Sequence, residues 1–215
     1  MFKSIFKLAT FILSPPYCEG CYTILRDRFI FCSDCYADIK PITTISLPIK
    51  EGVSVKVFSI SNYEYPLKKL ILAKRISNRL SSEYLATLMW QLTAIKYAEF
   101  DYIVSVPLHW VRRVKRGYNQ TEVMAEELSK LSGKPILKVL TRSKRTRFQS
   151  DLNLDEREAN VKNCFDVADN FLVKGKKVLL VDDLMTSGAT IKYASKQLLK
   201  SGVDSIVVAV GCRVV

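Results

Sequence analysis

Along the chain, apolar positions fall into two alternating rhythms. Val53, Val55 and Val57 alternate with Ser54 and Lys56 and lead into Phe58, the period-two signature of a strand. Short apolar runs bounded by turn residues follow at Tyr102–Val106, closed by Pro107, at Lys177–Val181, and at Ile206–Val210. Between them, apolar residues three and four apart predict helices over Leu67–Lys74, Glu83–Tyr97, Gln120–Leu131 and Ala189–Lys200. Thr121 is the expected N-cap of the third, Gly133-Lys134-Pro135 its end, and Ser201-Gly202 the end of the fourth. Asn62–Pro66 is a turn, and Pro41–Glu51 reads as an irregular linker. Strands apolar on both faces, separated by helices, imply an α/β domain: a parallel sheet with helices on both faces.

The expected division is residues 1–45, an N-terminal helix and a cysteine module, and residues 46–215, the larger domain. Met1–Ser14 carries two Lys among Phe, Ile and Leu. Its apolar part, Leu8–Leu13, is shorter than a signal-peptide core, lacks a cleavage site, and falls far short of a bilayer span. An amphipathic helix packed on its own domain is the plain reading; contact with a membrane surface or a partner is the other. A soluble, cytoplasmic protein is expected.

Cysteine usage adds a second feature. Cys18, Cys21, Cys32 and Cys35 form two C-x-x-C pairs, CEGC and CSDC. Two such knuckles aim four thiolates at one point, the closed tetrahedral set of a structural zinc site. Disulfides are disfavoured in a cytosolic chain, and redox C-x-x-C motifs usually come singly. A module this small needs the metal's binding energy to fold. Cys164 and Cys212 stand alone and read as buried small hydrophobes.

The segment VLLVDDLMTSGAT ends an apolar run with Asp182 and Asp183 and continues into Thr186, Ser187, Gly188, Ala189 and Thr190 before a helix. A loop between a strand's carboxyl end and a helix N-terminus offers backbone N–H groups and a favourable dipole to a phosphate. The two carboxylates repel phosphate and suit ribose hydroxyls or hydrated Mg²⁺. A plain strand-to-helix turn with capping hydroxyls is the bland alternative.

Charge sharpens the picture. Of 215 residues, Lys and Arg number 33 against 21 Asp and Glu, a formal net charge of +12, which favours anionic partners. Arg112, Arg113, Lys115 and Arg116 crowd one segment; Arg142, Lys144, Arg145 and Arg147 crowd another. Neither shows a helical or strand period, so both read as loops. Such density suits a pyrophosphate or a nucleic-acid backbone, or else a solvated face. Trp110, Tyr118 and Phe148 lie beside these cations as base-stacking or packing groups.

Taken in order, the paired knuckles, ILAK, DYIVSVPLHWVRRVKRGYNQ, TRSKRTRFQSDLNLDEREANV and VLLVDDLMTSGAT resemble the ComF family of phosphoribosyltransferase-like competence proteins. The phosphate loop carries Thr186-Ser187-Gly188 where the family usually has T-T-G, and a hydroxyl is kept. The resemblance implies a phosphoribosyl pyrophosphate site: Asp182 and Asp183 on the ribose hydroxyls, Thr186–Thr190 on the 5′-phosphate, Mg²⁺ bound with the ligand. It also implies single-stranded DNA as a partner during uptake, with other competence proteins as further partners. Arg157 and Asn160 match the family's R-x-x-N, and Lys74 a family lysine that faces the ligand. Two functions follow. One is a binding protein for single-stranded DNA with the phosphoribosyl site as regulatory pocket. The other is a phosphoribosyltransferase, in which Arg112, Arg116, Lys144 and Arg145 neutralise departing pyrophosphate. Scarcity of histidine, His109 alone, is no objection to either.

Overall fold

A computed structural model describes residues 16–27, 29–73, 79–108, 117–142 and 164–214. The N-terminal helix expected over Met1–Ser14 lies outside them. In chain order the elements are α1 (Ser33–Ala37), β1 (Ile45–Lys50), β2 (Val53–Asn62), α2 (Leu67–Ala73), α3 (Arg79–Leu92), β3 (Tyr102–Ser105), α4 (Gln120–Ser132), β4 (Leu140–Arg142), β5 (Phe165–Val167), α5 (Asn170–Val173), β6 (Lys177–Met185), α6 (Ala189–Lys200) and β7 (Ser205–Arg213).

The main sheet has the order β1-β2-β7-β6-β3. β2, β7, β6 and β3 run parallel, and β1 joins the edge antiparallel to β2. Period two sorts the strand residues onto two faces. On one face Ile60, Ile103, Leu179, Val181 and Ala209 pack with Leu70, Leu85, Met89, Met124 and Leu128 from α2, α3 and α4. On the other, Val57, Val104, Val178, Leu180 and Val208 pack with Ile191, Ala194 and Leu198 of α6. Both sides of the sheet are therefore dry, which is why its strands read as continuous apolar runs.

Several expectations need correction. Pro41–Glu51 is not a linker throughout, because Ile45–Lys50 forms β1 and Ile49 is buried. Pro48 masked it: proline is tolerated there because β1 is an edge strand. The helix expected over Glu83–Tyr97 begins at Arg79, ends at Leu92 and gives way to a separate 3-10 turn, Ala94–Tyr97, capped by the Thr93 side chain. The N-cap of α4 is Asn119, not Thr121: the Asn119 side chain accepts the Thr121 N–H, and Thr121 already lies inside the helix. Arg142, assigned to a loop, ends strand β4, which pairs antiparallel with β5. β6 runs past Val181 through both acids to Met185.

The cysteine module does not stand apart. Leu25, Ile30, Phe31 and Ile39 join the same apolar cluster as Leu67, Leu70 and Ile71 of α2 and Phe58 and Ile60 of β2. Lys69 of α2 donates to the carbonyl oxygen of Gly20 at 2.8 Å.

Candidate functional site

Two sites are built on this frame. In the N-terminal one, the four cysteine sulfurs lie within 4.8 Å of one another. Cys18 and Cys35 are buried, and Cys21 is exposed. The first knuckle turns through Tyr22 at φ 63°, with its N–H donating to the Cys18 carbonyl at 2.8 Å. The second is the start of α1. The Cys32 N–H donates to Cys18 Sγ at 3.3 Å, and the Cys35 N–H to Cys32 Sγ at 3.5 Å. Amides aimed at sulfur stabilise thiolate charge. Tyr65 Oη lies 2.8 Å from Cys35 Sγ. Gly20 is required on space alone: a Cβ there would sit 2.7 Å from Cys35 Sγ.

Without a cation the thiols are mismatched. Hydrogen bonding with Thr23 draws Cys21 down to about 6, whereas burial pushes Cys35 up to about 12. A metal ion among the sulfurs removes that mismatch by deprotonating all four outright. The donor set fits a thiophilic divalent ion held closed on every side, so the site supplies a cross-link and no open coordination position.

The second site lies at the carboxyl edge of the sheet. Asp182 is 8% exposed, and its Oδ1 accepts the Asp183 N–H at 2.8 Å. After Met185 the chain passes through Thr186 and the exposed Ser187 to Gly188, at φ 73°, which caps α6. Having no side chain, Gly188 places no capping oxygen over the first-turn amides of α6. The Ala189 N–H points to Ser187 Oγ at a long 3.5 Å. Gly188 meets two demands at once: the left-handed φ, and closeness to β1, where a Cβ would lie 3.1 Å from Leu47 Cδ1. Ala189 and Thr190 form the first turn of α6, where the helix expected over Ala189–Lys200 begins. The result is a strand-loop-helix corner with acids at the strand end and amides and hydroxyls at the helix start, the geometry of an anion site at a helix N-terminus.

The neighbouring strand ends at the same edge. The Val106 N–H donates to the Val181 carbonyl at 2.9 Å. The Val106 carbonyl accepts from Thr121 Oγ1 at 2.6 Å and Asn119 Nδ2 at 3.4 Å. These bonds tie the start of α4 to the end of β3 at the same edge of the sheet as Asp182. Arg112, Arg116, Lys144 and Arg145 lie outside the described residues, as do Lys74, Arg157 and Asn160. Of the two cation clusters, Arg142 is the member within them. Its guanidinium stands 5.3 Å from the centre of the Phe165 ring. Burial pulls its pKa below the usual arginine value, while Cys164 and Asp182 pull it back up.

The decisive comparison is with the phosphoribosyl transferase domain, whose family model matches residues 70–214. Competence protein F of Haemophilus influenzae is 31% identical over 205 residues, covering 91% of this chain and 83% of that protein. The chain belongs to the ComF family. A second ComF relative, the DNA utilization protein YhgH of Salmonella typhimurium, is 30% identical over 208 residues, covering 91% of this chain and 89% of that one. The adenine phosphoribosyltransferase of Thermoanaerobacter pseudethanolicus aligns with a TM-score of 0.41 at 16% identity, covering 84% of this chain and 98% of the other. The phosphoribosyl transferase match spans the acids on β6 and the corner at Gly188, and the four-cysteine cluster lies ahead of it in the chain. Among the described residues, no helix is long and apolar enough to cross a membrane.

Sequence reading missed three features of this frame: β1 against Gly188, the Asn119–Thr121 clamp on Val106, and Arg142 on a strand. The first carried a faint signal, Leu47 and Ile49 alternating with polar Ser46 and Lys50 around the proline.

Proposed function

We propose that this protein binds phosphoribosyl pyrophosphate at the β6–α6 corner and single-stranded DNA on its cationic segments, serving the handling of incoming DNA in the cytoplasm. One observation carries the reading: two acids near the end of β6 stand a short loop ahead of a left-handed glycine that caps a helix without a side-chain oxygen. In it, Asp182 and Asp183 accept the ribose 2′- and 3′-hydroxyls. The Thr186, Ser187 and Thr190 hydroxyls and the amides of Gly188 and Ala189 hold the 5′-phosphate. Mg²⁺, when bound with the ligand, neutralises pyrophosphate charge. The cations assigned to neutralising the pyrophosphate are Arg112, Arg116, Lys144 and Arg145. The names of the curated relatives, competence and DNA utilization proteins, support the DNA half of the reading. So does the net charge of +12. In this reading the four-cysteine cluster holds zinc, and its module docks other competence proteins.

A second reading is an active transferase. The phosphoribosyl transferase match over residues 70–214 favours it. Its chemistry passes through an oxocarbenium-like centre, so it asks for positioning and for neutralisation of the departing pyrophosphate.

Isothermal titration with phosphoribosyl pyrophosphate and Mg²⁺, on wild type and on Asp182→Ala/Asp183→Ala, tests the pocket. Binding that the double variant loses is the expected result; no binding by wild type overturns the assignment. Single-stranded DNA titrations at low salt, with and without the ligand, test the DNA half, and absence of affinity there overturns it. Pyrophosphate release on addition of a base or nucleotide would establish the second reading.

A further inference from the structure

We infer that Cys21 and Cys32 form an oxidation site within the four-cysteine cluster: a peroxide joins them as a disulfide across the two knuckles, and bound metal is released. The inference rests on the reading of the cluster as a zinc site. It goes beyond that reading by dividing the four sulfurs into an outer, reactive pair and an inner, shielded one.

The division is one of access. Cys18 is 0% exposed and Cys35 3%. Cys21 is exposed and Cys32 is half-buried. Each knuckle therefore turns one cysteine inward and the other outward. Atoms of the fold cover the inner pair. Gly20 packs so closely on Cys35 that a Cβ there would lie 2.7 Å from Sγ, and the Tyr65 hydroxyl stands 2.8 Å from the same sulfur. Cys18 Sγ accepts the Cys32 N–H at 3.3 Å. Oxidation of cysteine follows exposure and thiolate character, so an oxidant arriving from solvent meets Cys21 first.

The outer pair also has the proximity that a disulfide requires. Cys21 Sγ lies 3.7 Å from Cys32 Sγ, against a bond length of about 2 Å. The two knuckles are already tied to each other through the backbone, with the Glu19 N–H donating to the Ile30 carbonyl at 2.8 Å. Cys32 is thus placed to resolve whatever forms on Cys21.

With peroxide as the oxidant the steps balance. The Cys21 thiolate attacks one peroxide oxygen; an S–O bond forms, the O–O bond breaks, and hydroxide leaves, which gives a sulfenic acid. The Cys32 thiolate attacks the Cys21 sulfur; the S–S bond forms, the S–O bond breaks, and a second hydroxide leaves. Two thiolates lose two electrons in all, and both peroxide oxygens end as water once protonated. Cys18 and Cys35 remain, half of the set that a closed site requires, so bound metal is released. The disulfide spans the same two knuckles, and Leu25, Ile30 and Phe31 keep their place in the apolar cluster with α2.

The test treats the full-length, zinc-loaded protein with limiting hydrogen peroxide. Released zinc is read with a chromogenic chelator, remaining thiols are alkylated, and disulfides are mapped by peptide mass spectrometry. Trypsin cuts after Arg26 and Arg28, between the knuckles, so a bond across the knuckles links two peptides that a bond within one knuckle leaves separate. One zinc ion should be lost for each Cys21–Cys32 disulfide, with Cys18 and Cys35 recovered as thiols. Reduction and fresh zinc should restore the metal content. Cys164 and Cys212, 2% and 0% exposed, should stay reduced. A first disulfide that lies within one knuckle or includes Cys18 or Cys35 overturns the division. So does zinc loss without a disulfide, retention of zinc under peroxide, or oxidation of Cys164 and Cys212 alongside the cluster. Purified protein that binds no zinc overturns the metal assignment instead.

Discussion

The cysteine cluster and the β6–α6 corner hold their shapes by opposite means. In the cluster, side-chain identity is everything: four sulfurs converge within 4.8 Å, and the backbone is bent to suit them, through Tyr22 at φ 63°. At the corner the backbone does the shaping, and the residue that turns it, Gly188, has no side chain. A cluster of this kind is the sort that gains its order from a bound ion. The corner gains its order from the sheet, since β6 is buried on both faces and hydrogen-bonded on both edges. A site made of ligands therefore needs its metal to exist. A site made of backbone exists before its ligand arrives.

The sharpest way to break this contrast is to remove the metal. Structural zinc contributes on the order of 10 kcal/mol in isolated finger peptides, so chelation or Cys18→Ser should strip amide-exchange protection from residues 16–40. Metal content by mass spectrometry should fall in parallel. Binding at the corner should change by less than about threefold, because distant sites act independently. A larger change would show that the contacts of α2 with the module, Lys69 to Gly20 above all, carry the cluster's state into the sheet.

Next is Gly188→Val. It places a β-branched residue at φ 73° with Leu47 in its way. The strain should cost about 1–3 kcal/mol in urea unfolding. Phosphoribosyl pyrophosphate affinity should fall well beyond what that loss of stability explains, and metal content should not change. Tyr65→Phe is the milder counterpart at the cluster. Losing the bond to Cys35 Sγ should weaken metal retention by about tenfold in chelator competition. Smallest is Thr121→Val, which deletes the 2.6 Å bond to the Val106 carbonyl and should lower stability by about 1 kcal/mol in the same urea assay.

What the sequence disclosed follows the same contrast. The cluster was legible outright, because its chemistry resides in residue type and spacing: two C-x-x-C pairs need no fold to be recognised. The acids and the Gly188 corner were legible for a related reason, since a strand ending in Asp182-Asp183 and running into T-S-G-A-T leaves a dense local signal. The supports were not. Arg142 looked like one more loop cation, because its partner Phe165 is distant in sequence and only strand pairing joins them. β1 looked like a linker because Pro48 stands in it, and nothing local says that the segment lies on a sheet edge. Thr121 passed for an N-cap because a hydroxyl near a helix start suits either role; its bond to Val106 depends on how α4 meets β3.

The β4–β5 pairing has one more consequence, and it concerns engineering. Residues 143–163 leave from Arg142 and return at Cys164, so their two ends are fixed side by side by the Arg142–Phe165 pair. A span closed at a ready-made clasp is forgiving of length: doubling it adds only about 0.6 kcal/mol of closure entropy. The β4–β5 pair therefore fixes where the connecting span leaves and returns, so a change in its length need not rethread the sheet.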